Sequence, residues 1–294
     1  MAYRFAPNGQ FQLDQAKRFI EGFDPVDQPV TDEGPLHLAF LSDDWHPAFV
    51  SLHQTEHRVV CDVVDGSSDV RDQVERILSL DVDATAFDRL EDPVINALRD
   101  RRRGLRPVLF STPFEAACWS VLTQRTSMTH AANMRHELCT RAGHRFEVGD
   151  HSFWTFPNPA AVTRLGALPG ATTSQIDRLT SVARAALDGR LDPGTIRRST
   201  GDAALEQLRS ITGIGPFGSE LIYVRGAGAA DHFPRNEPRL RAHMAQLYDL
   251  EEPSVDQLAE IADRWAPFRS WASLLIRLDA ETTHSKSRHQ GETT

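Results

Sequence analysis

Cysteine is scarce in this sequence, and its spacing excludes several kinds of metal site. Only Cys61, Cys118 and Cys139 occur in 294 residues, and they are far apart. No CxxC pair is present, so we expect neither a cysteine-ligated zinc site nor an iron–sulfur cluster. Few unpaired cysteines are typical of proteins in a reducing compartment, so we expect the protein in the cytoplasm.

Long apolar runs are also absent. No stretch reaches the roughly 18 apolar residues of a membrane-spanning helix. The first residues, MAYRFAPNGQFQLDQ, lack the apolar region of a signal peptide, so we expect no secretory leader and no membrane partner. A formal net charge of −9 argues against nonspecific coating of nucleic acid.

Arginine is nevertheless concentrated in two clusters within an otherwise ordinary globular composition of 40% hydrophobic and 25% charged residues. The first cluster contains Arg99, Arg101, Arg102, Arg103 and Arg106, and the second contains Arg225, Arg235, Arg239 and Arg241. Each cluster is either a solvated face or a contact to nucleic acid. The second has the greater weight because it flanks a Gly-Ile-Gly segment.

The chain has a length typical of about two domains, and its patterns divide accordingly. Short apolar or β-branched runs predict strands at 36–41 and 57–64, with a weaker strand in PAFVSLHQ between them. Apolar residues at helical spacing predict helices in LDQAKRFIEGF and SSDVRDQVERILSL. These elements predict a mixed α/β domain over residues 1–105.

Beyond Thr112 only helices are predicted. Thr112 precedes a proline and has Glu115 three residues later, the arrangement of a capping box. Further helical patterns are THAANMRHELCTRAG, NPAAVTRLG, TSQIDRLTSVARAALDG, DAALEQLRSI, PFGSELIYVRGA, EPRLRAHMAQLY, SVDQLAEIADRWA and FRSWASLLIRLDAE. We expect no strand after residue 112, a helical domain over 106–280, and a polar disordered tail over 281–294.

The segment from Leu208 to Arg241 is the most informative. Gly213 and Gly215 lie between two helical patterns and permit a tight turn with close backbone approach. The N–H groups that open the following helix favour an anion such as a phosphate. The alternative is an ordinary helical hairpin with a glycine turn. A lone carboxylate, Glu237, follows later in the segment.

The pattern LxxIxGIGPF…RGAG…DxFPxxE…LR resembles the helix-hairpin-helix DNA glycosylase superfamily. Three further segments, STPFEAACWSVLTQRTS, FPNPAAVTRLG…LPGATTSQIDRLTSVARAALDG and ADRWAPFRSWASLLIRLD, resemble its 3-methyladenine DNA glycosylase II branch. FIEGFDPV and VRDQVERILSLD resemble the leading domain of that branch. The resemblance, over residues 10–280, implies an α+β leading domain followed by an all-α helix-hairpin-helix domain, mainly α overall.

The resemblance implies a monofunctional DNA glycosylase in base excision repair. Such an enzyme flips a modified purine, here expected to be alkylated, out of duplex DNA and cuts its N-glycosidic bond. A carboxylate near the sugar stabilises the cation that forms as the base leaves. The expected partner is double-stranded DNA with damaged bases, bound by a monomer. The alternative is a non-catalytic or weakly active DNA-damage binding protein of the same fold.

Glu237 occupies the position at which the family has a catalytic aspartate. The extra methylene adds roughly 1.5 Å of reach, and a misplacement of about 1 Å can cost on the order of 100-fold in rate. Three outcomes stay open: a backbone that retreats to accommodate Glu237, a slow enzyme for labile lesions, or a helix-start residue without chemistry. Asp231 matches a non-catalytic family position and ranks below Glu237.

The resemblance also implies a base pocket. Phe217 stands where bifunctional relatives carry a nucleophilic lysine, so no Schiff base is expected there. Phe217 and Phe23 match pocket aromatics, whereas Leu221 and Arg277 replace two others. Arg277 would repel a cationic base unless it pairs with Asp279 or Glu237, so a neutral lesion or a bulky adduct also stays open.

The remaining implied contacts are to the duplex around the flipped base and to its phosphates. Arg125 matches the wedge that fills the gap left by the flipped base, and Gln124 lies beside it. The phosphate-binding set is Gly213, Gly215, Phe217, Gly218 and Arg239. The carbonyl groups of Thr212 and Ile214 are expected to hold a monovalent cation, and no other cofactor is expected.

Overall fold

The protein is described from a computed structural model that covers residues 1–22, 29, 34–56, 58–66 and 69–291, with side chains as far as residue 282. The strands are β1 (Ala2–Phe5), β2 (Leu36–Leu41), β3 (Pro47–Gln54), β4 (Val59–Asp65), β5 (Arg145–Val148) and β6 (His151–Trp154). The helices are α1 (Leu13–Glu21), α2 (Arg71–Ile77), α3 (Pro93–Arg101), α4 (Pro113–Leu122), α5 (Met128–Ala142), α6 (Pro159–Val162), α7 (Thr173–Leu187), α8 (Pro193–Arg198), α9 (Gly201–Arg209), α10 (Pro216–Leu221), α11 (Pro238–Leu247), α12 (Val255–Ala262) and α13 (Arg269–Gly291).

The leading region contains an antiparallel sheet with strand order β1-β4-β3-β2. Alternation along β2 decides which side chains face which layer. Leu36, Leu38 and Phe40 join the core that includes α1 and α2. Ala39 faces the opposite side and packs with Phe49 of β3. Both faces of the sheet are therefore covered, and the predicted mixed α/β character of this region is confirmed.

The opposite face of the sheet is covered by a hairpin that the sequence reading missed. Strands β5 and β6 pair antiparallel, with Phe146 opposite Phe153, and both rings pack against Phe49. Gly149 forms the turn with a φ of 57°. The prediction of no strand after residue 112 is therefore wrong. Each strand has only four residues, too few for alternation to stand out from the flanking helical patterns.

Helix α4 begins where the sequence predicts, but its capping box is incomplete. The Thr112 hydroxyl accepts a hydrogen bond from the Glu115 N–H at 3.1 Å. The Glu115 carboxylate does not return to Thr112, because it accepts from the Arg135 guanidinium at 2.6 Å and from the Ser111 hydroxyl. The buried Glu115–Arg135 pair joins α4 to α5.

Two large hydrophobic cores divide the molecule, and the division does not follow the chain at residue 105. The first core contains the sheet, α1 to α3 and also residues from Phe233 to Ile276 in the C-terminal helices. The second contains residues from Phe110 to Ala227, which include α4 to α10. The C-terminal helices thus return to the leading region, and Phe87 contacts both Phe268 and Trp271 at 5.4 Å between ring centroids.

Two arginines of the first cluster have partners within the protein, and one of them reaches a C-terminal helix. Arg106 is 1% exposed and donates to the carbonyl groups of Gln10, Ser79, Val82 and Asn8. Burial lowers its pKa to about 10. Arg101 pairs with Asp279 of α13 at 3.0 Å. These two arginines therefore have structural partners.

Helix α13 continues to Gly291, so the predicted disordered tail differs from the structure over residues 281–291. No proline or glycine interrupts the sequence between Arg269 and His289, which allows the helix to continue. In the described residues, no helix is both long enough and apolar enough to span a bilayer.

Candidate functional site

A cleft of about 1210 Å³ lies between the two cores, and the most informative sequence segment forms much of its wall. Residues 212–218 of the hairpin line one side. Glu237, with the start of α11, and Arg277 of α13 also line it. The fold therefore brings the predicted anion site and the predicted carboxylate to one opening.

The hairpin has two glycines with different roles. Gly213 has a φ of 99°, and a Cβ there would lie 2.8 Å from the side chain of Arg178, so both conformation and space require glycine. Gly215 has an ordinary extended φ of −95°, caps α10, and has open space where a Cβ would be. Gly215 is therefore the glycine that faces outward, next to the N–H groups that open α10.

Gly218 lines the cleft, but the side on which a Cβ would stand faces α4. A Cβ at this position would lie 3.0 Å from the Ser120 hydroxyl and 3.5 Å from Ile214. Gly218 therefore allows α10 to pack closely on α4. Only its backbone N–H is placed to serve the phosphate-binding role that the sequence predicts.

Glu237 is the residue that caps helix α11. Its Oε2 atom accepts a hydrogen bond from the Leu240 N–H at 2.5 Å, and its side chain is 20% exposed. A Glu at this position is long enough to fold back onto its own helix. The N–H group and the positive end of the helix favour a negative charge at the carboxylate.

Arg277 reaches the same carboxylate from α13. Its Nε lies 3.5 Å from Oε1 of Glu237, and its Nη1 lies 2.9 Å from Oε1 of Glu281. Of the two alternative partners, the structure shows Glu237. Asp279 instead contacts His243 at 3.0 Å and Arg101. Arg277 is therefore a positive charge that two carboxylates flank.

Comparison with known proteins agrees with this arrangement. The chain is 25% identical to the DNA-3-methyladenine glycosylase of Bacillus subtilis over 204 residues, which cover 67% of each chain. It is 29% identical to the DNA-3-methyladenine glycosylase 2 of Escherichia coli over 180 residues, or 60% of each. The 3-methyladenine DNA-glycosylase of Archaeoglobus fulgidus shares the fold, with a TM-score of 0.79 at 20% identity over 95% of this chain and 98% of that one. No protein-family model matches the sequence.

The chain is therefore similar, in sequence and in fold, to 3-methyladenine DNA glycosylases. The hairpin and Glu237 come from one segment of the chain, whereas the opposite walls of the cleft come from α4 and α13. The predicted fold class, mainly α with a leading region that contains a sheet, is also confirmed.

The predicted wedge lies on the turn between α4 and α5. Arg125 has a left-handed φ of 56° and an exposed side chain, and it does not line the cleft. Gln124 points to the hairpin: its amide donates to the Gly213 carbonyl at 2.7 Å, and Arg178 donates to its side-chain oxygen. Gln124 thus connects the turn to the phosphate-binding hairpin, while the wedge role of Arg125 stays a prediction.

The cleft contains one aromatic side chain that the sequence predicts and three that it does not. Phe217 lines it and is 40% exposed, and Leu221 lies beside it. Phe23 lies outside the described residues. Phe19, Trp119 and Trp271 also line the cleft. The periodicity of LDQAKRFIEGF identifies α1 but does not show that Phe19 faces the cleft.

Two arginines of the second cluster, Arg225 and Arg239, have different environments. Arg225 lies 4.9 Å from the centre of the Phe19 ring and donates to the Val108 carbonyl at 2.6 Å, and burial lowers its pKa to about 10. Arg225 therefore joins the helical core to the leading region. Arg239 is exposed at the edge of the cleft, where a phosphate contact is geometrically open.

Asp231 has a different environment from Glu237. Both of its oxygens accept hydrogen bonds from the Arg269 guanidinium, at 2.7 and 2.9 Å. It does not line the cleft. This bidentate pair anchors the loop after α10 to the start of α13, which is a structural role.

Proposed function

We propose that this chain is a monofunctional DNA glycosylase that excises modified purines from duplex DNA as a monomer. The observation that carries the proposal is a single cleft shared by the outward-facing hairpin, an aromatic wall and the Glu237 carboxylate. The 3-methyladenine glycosylase relatives support alkylated purines as the substrate class.

Each wall of the cleft has a part in the proposed reaction. The N–H groups at the start of α10 hold a phosphate beside the lesion. The flipped base stacks on Phe217 between the walls of the cleft. As the N-glycosidic bond breaks, the ionised Glu237 stabilises the positive charge at the sugar. A cationic alkylated base leaves with the bonding electrons as the neutral base, and water adds to the sugar carbon and releases a proton to solvent.

A covalent lyase reaction lacks its nucleophile in this site. No lysine is found among the described residues that line the cleft. Of the two lysines in the sequence, Lys17 is buried and donates to the Gly34 carbonyl at 2.6 Å. The side chain of Lys286 is outside the described part. Hydrolysis without strand cleavage is the outcome that this cleft supports.

The hairpin carbonyl groups fit a monovalent cation. In the described part of the chain, no hydrogen bond reaches the carbonyl oxygens of Thr212 or Ile214, whereas that of Gly213 accepts from Gln124. We propose that Thr212 and Ile214 would hold the cation through these oxygens. Its charge would support the neighbouring phosphate.

The test of the proposed function is base release from methylated duplex DNA. The protein is incubated with duplex DNA that carries 7-methylguanine, 3-methyladenine or hypoxanthine, and free bases are separated by chromatography. We expect release of at least one modified purine and no strand cleavage until alkali is added. Release of no base at high enzyme concentration would remove the catalytic proposal.

A second candidate is a DNA-damage binding protein, and the Arg277 contact favours it. A guanidinium 3.5 Å from Oε1 of Glu237 offsets the charge that catalysis needs. This candidate predicts tight, salt-dependent binding to an abasic-site analogue without base release. The release assay and a binding titration on the same DNA therefore separate the two candidates.

The preference for cationic over neutral lesions is expected to depend on Arg277. Removing this cation by Arg277→Ala should favour a cationic base, because attraction to Glu237 is no longer offset. Two charges about 5 Å apart near a protein surface interact strongly enough to change a rate ratio by roughly 10-fold after screening. We expect the ratio of 7-methylguanine to hypoxanthine excision to rise by about that factor.

Arg277→Lys is the matched control, because it keeps the charge and should keep the ratio. Excision rates for both bases are measured with enzyme in excess over DNA. An equal rise of the ratio in both variants, or no change in either, would assign Arg277 a packing role instead.

A further inference from the structure

Glu220 is a buried carboxylate that the sequence reading did not single out. It lies on α10, the helix whose first N–H groups face the phosphate site, and it is 4% exposed. An ionised carboxylate in such a position requires several hydrogen-bond donors to offset its lost hydration. The residues that donate hydrogen bonds to Glu220 show which part of the protein it holds in place.

All of the Glu220 hydrogen bonds come from the loop that carries Glu237. Oε1 accepts from the Arg235 N–H at 3.0 Å and from the Asn236 side-chain amide at 3.0 Å. Oε2 accepts from the Asn236 N–H at 2.8 Å. His232 of the same loop lies 3.6 Å from Oε1, beyond hydrogen-bond distance.

These contacts distinguish Glu220 from a second reacting carboxylate. Both oxygens already accept from the loop, whereas Oε1 of Glu237 has only the longer contact to Arg277. The bonds hold the backbone N–H groups of the two residues that immediately precede Glu237. A shift in that short segment moves the Glu237 carboxylate directly.

We propose that Glu220 is a positioning residue that fixes the Glu237 loop relative to the DNA-anchoring hairpin. One rigid helix, α10, has the phosphate-facing N–H groups at its start and the Glu220 anchor near its end. Binding of the phosphate therefore sets the distance between the sugar and the Glu237 carboxylate. This inference rests on the proposed glycosylase function.

The test is Glu220→Gln, which keeps the shape of the side chain. Its amide group replaces one accepting oxygen by an N–H donor that opposes a loop N–H. The single-turnover excision rate and the Kd for an abasic-site duplex are measured well below the melting temperature. We expect the rate to fall about 10- to 100-fold, because displacement of a catalytic group by a fraction of an ångström to 1 Å has effects of this order. The Kd should stay within about 3-fold, because the hairpin keeps its own contacts.

Glu115→Gln is the matched control, because Glu115 is also a buried, hydrogen-bonded carboxylate but does not line the cleft. It should lower the melting temperature and leave the excision rate of the folded protein unchanged. Asn236→Ala removes one donor at an exposed position and should slow excision about 3- to 10-fold. It tests the proposal even if Glu220→Gln does not fold.

The outcomes separate this inference from the proposed function. If the wild type excises bases and Glu220→Gln does so at an unchanged rate, the positioning role alone is overturned. Where Glu220→Gln does not fold, an unchanged rate in Asn236→Ala has the same consequence. A parallel loss of rate and DNA affinity in Glu220→Gln would also overturn it, because a general disturbance of the cleft would explain both. No excision by the wild type would instead remove the glycosylase proposal.

Discussion

Glu237→Gln is expected to slow base excision by on the order of 100- to 1000-fold, the effect of removing one preorganised electrostatic group from an active site. The substitution removes the negative charge that faces the sugar cation. It keeps the fold, because the glutamine oxygen can still accept the Leu240 N–H that caps α11. Single-turnover excision from methylated duplex DNA measures the effect, with melting temperature as the check on folding.

Glu237→Asp is the matched comparison, because it keeps the charge and shortens the side chain. Aspartate is a favoured helix cap, so α11 should begin at the same residue. We expect excision well above that of Glu237→Gln, with unchanged DNA affinity in both. Equal excision by the wild type and Glu237→Gln would show that the carboxylate only caps the helix, the third of the outcomes that the sequence leaves open.

Local patterns predict the architecture well where a residue's neighbours in the chain decide its environment. The run 36–41 is short and almost wholly apolar, and β2 has the predicted ends, while Gly143 closes α5 as expected. The β5–β6 hairpin and the return of the C-terminal helices to the leading region depend on contacts between distant residues. Phe49 meets Phe146 and Phe153, and neither pairing leaves a periodic signal in the sequence.

The candidate site shows the same division between local and distant information. The resemblance of the segment 208–241 predicts that Gly215 and Glu237 belong to one site, and the cleft contains both. The sequence leaves both Asp279 and Glu237 as possible partners of Arg277. The packing of α13 on α11 selects Glu237. Glu220 was overlooked because nothing in GSELIYV distinguishes a buried anchor from an exposed helical glutamate.

Gly215→Asp is expected to weaken DNA binding by about 100-fold or more while leaving the protein at least as stable. The substitution fits, because the φ of Gly215 is −95° and no atom lies within 4 Å of the added Cβ. Aspartate is a better helix cap than glycine by a few tenths of a kcal/mol, so the melting temperature should not fall. Its carboxylate would occupy the N–H groups of Phe217 and Gly218 and repel the phosphate, and hydrogen bonds to charged groups contribute about 1.5–3 kcal/mol each.

Gly215→Asn and Gly215→Ala separate the causes. Asparagine caps the helix with the same shape but no charge, so the difference between Asp and Asn measures repulsion of the phosphate. Alanine adds only a methyl group on the outward face and should weaken binding of undamaged and abasic duplex alike. A Gly215→Asp protein that still binds the abasic duplex tightly would place the phosphate elsewhere. A loss confined to damaged DNA would instead move Gly215 from the backbone grip to the lesion pocket.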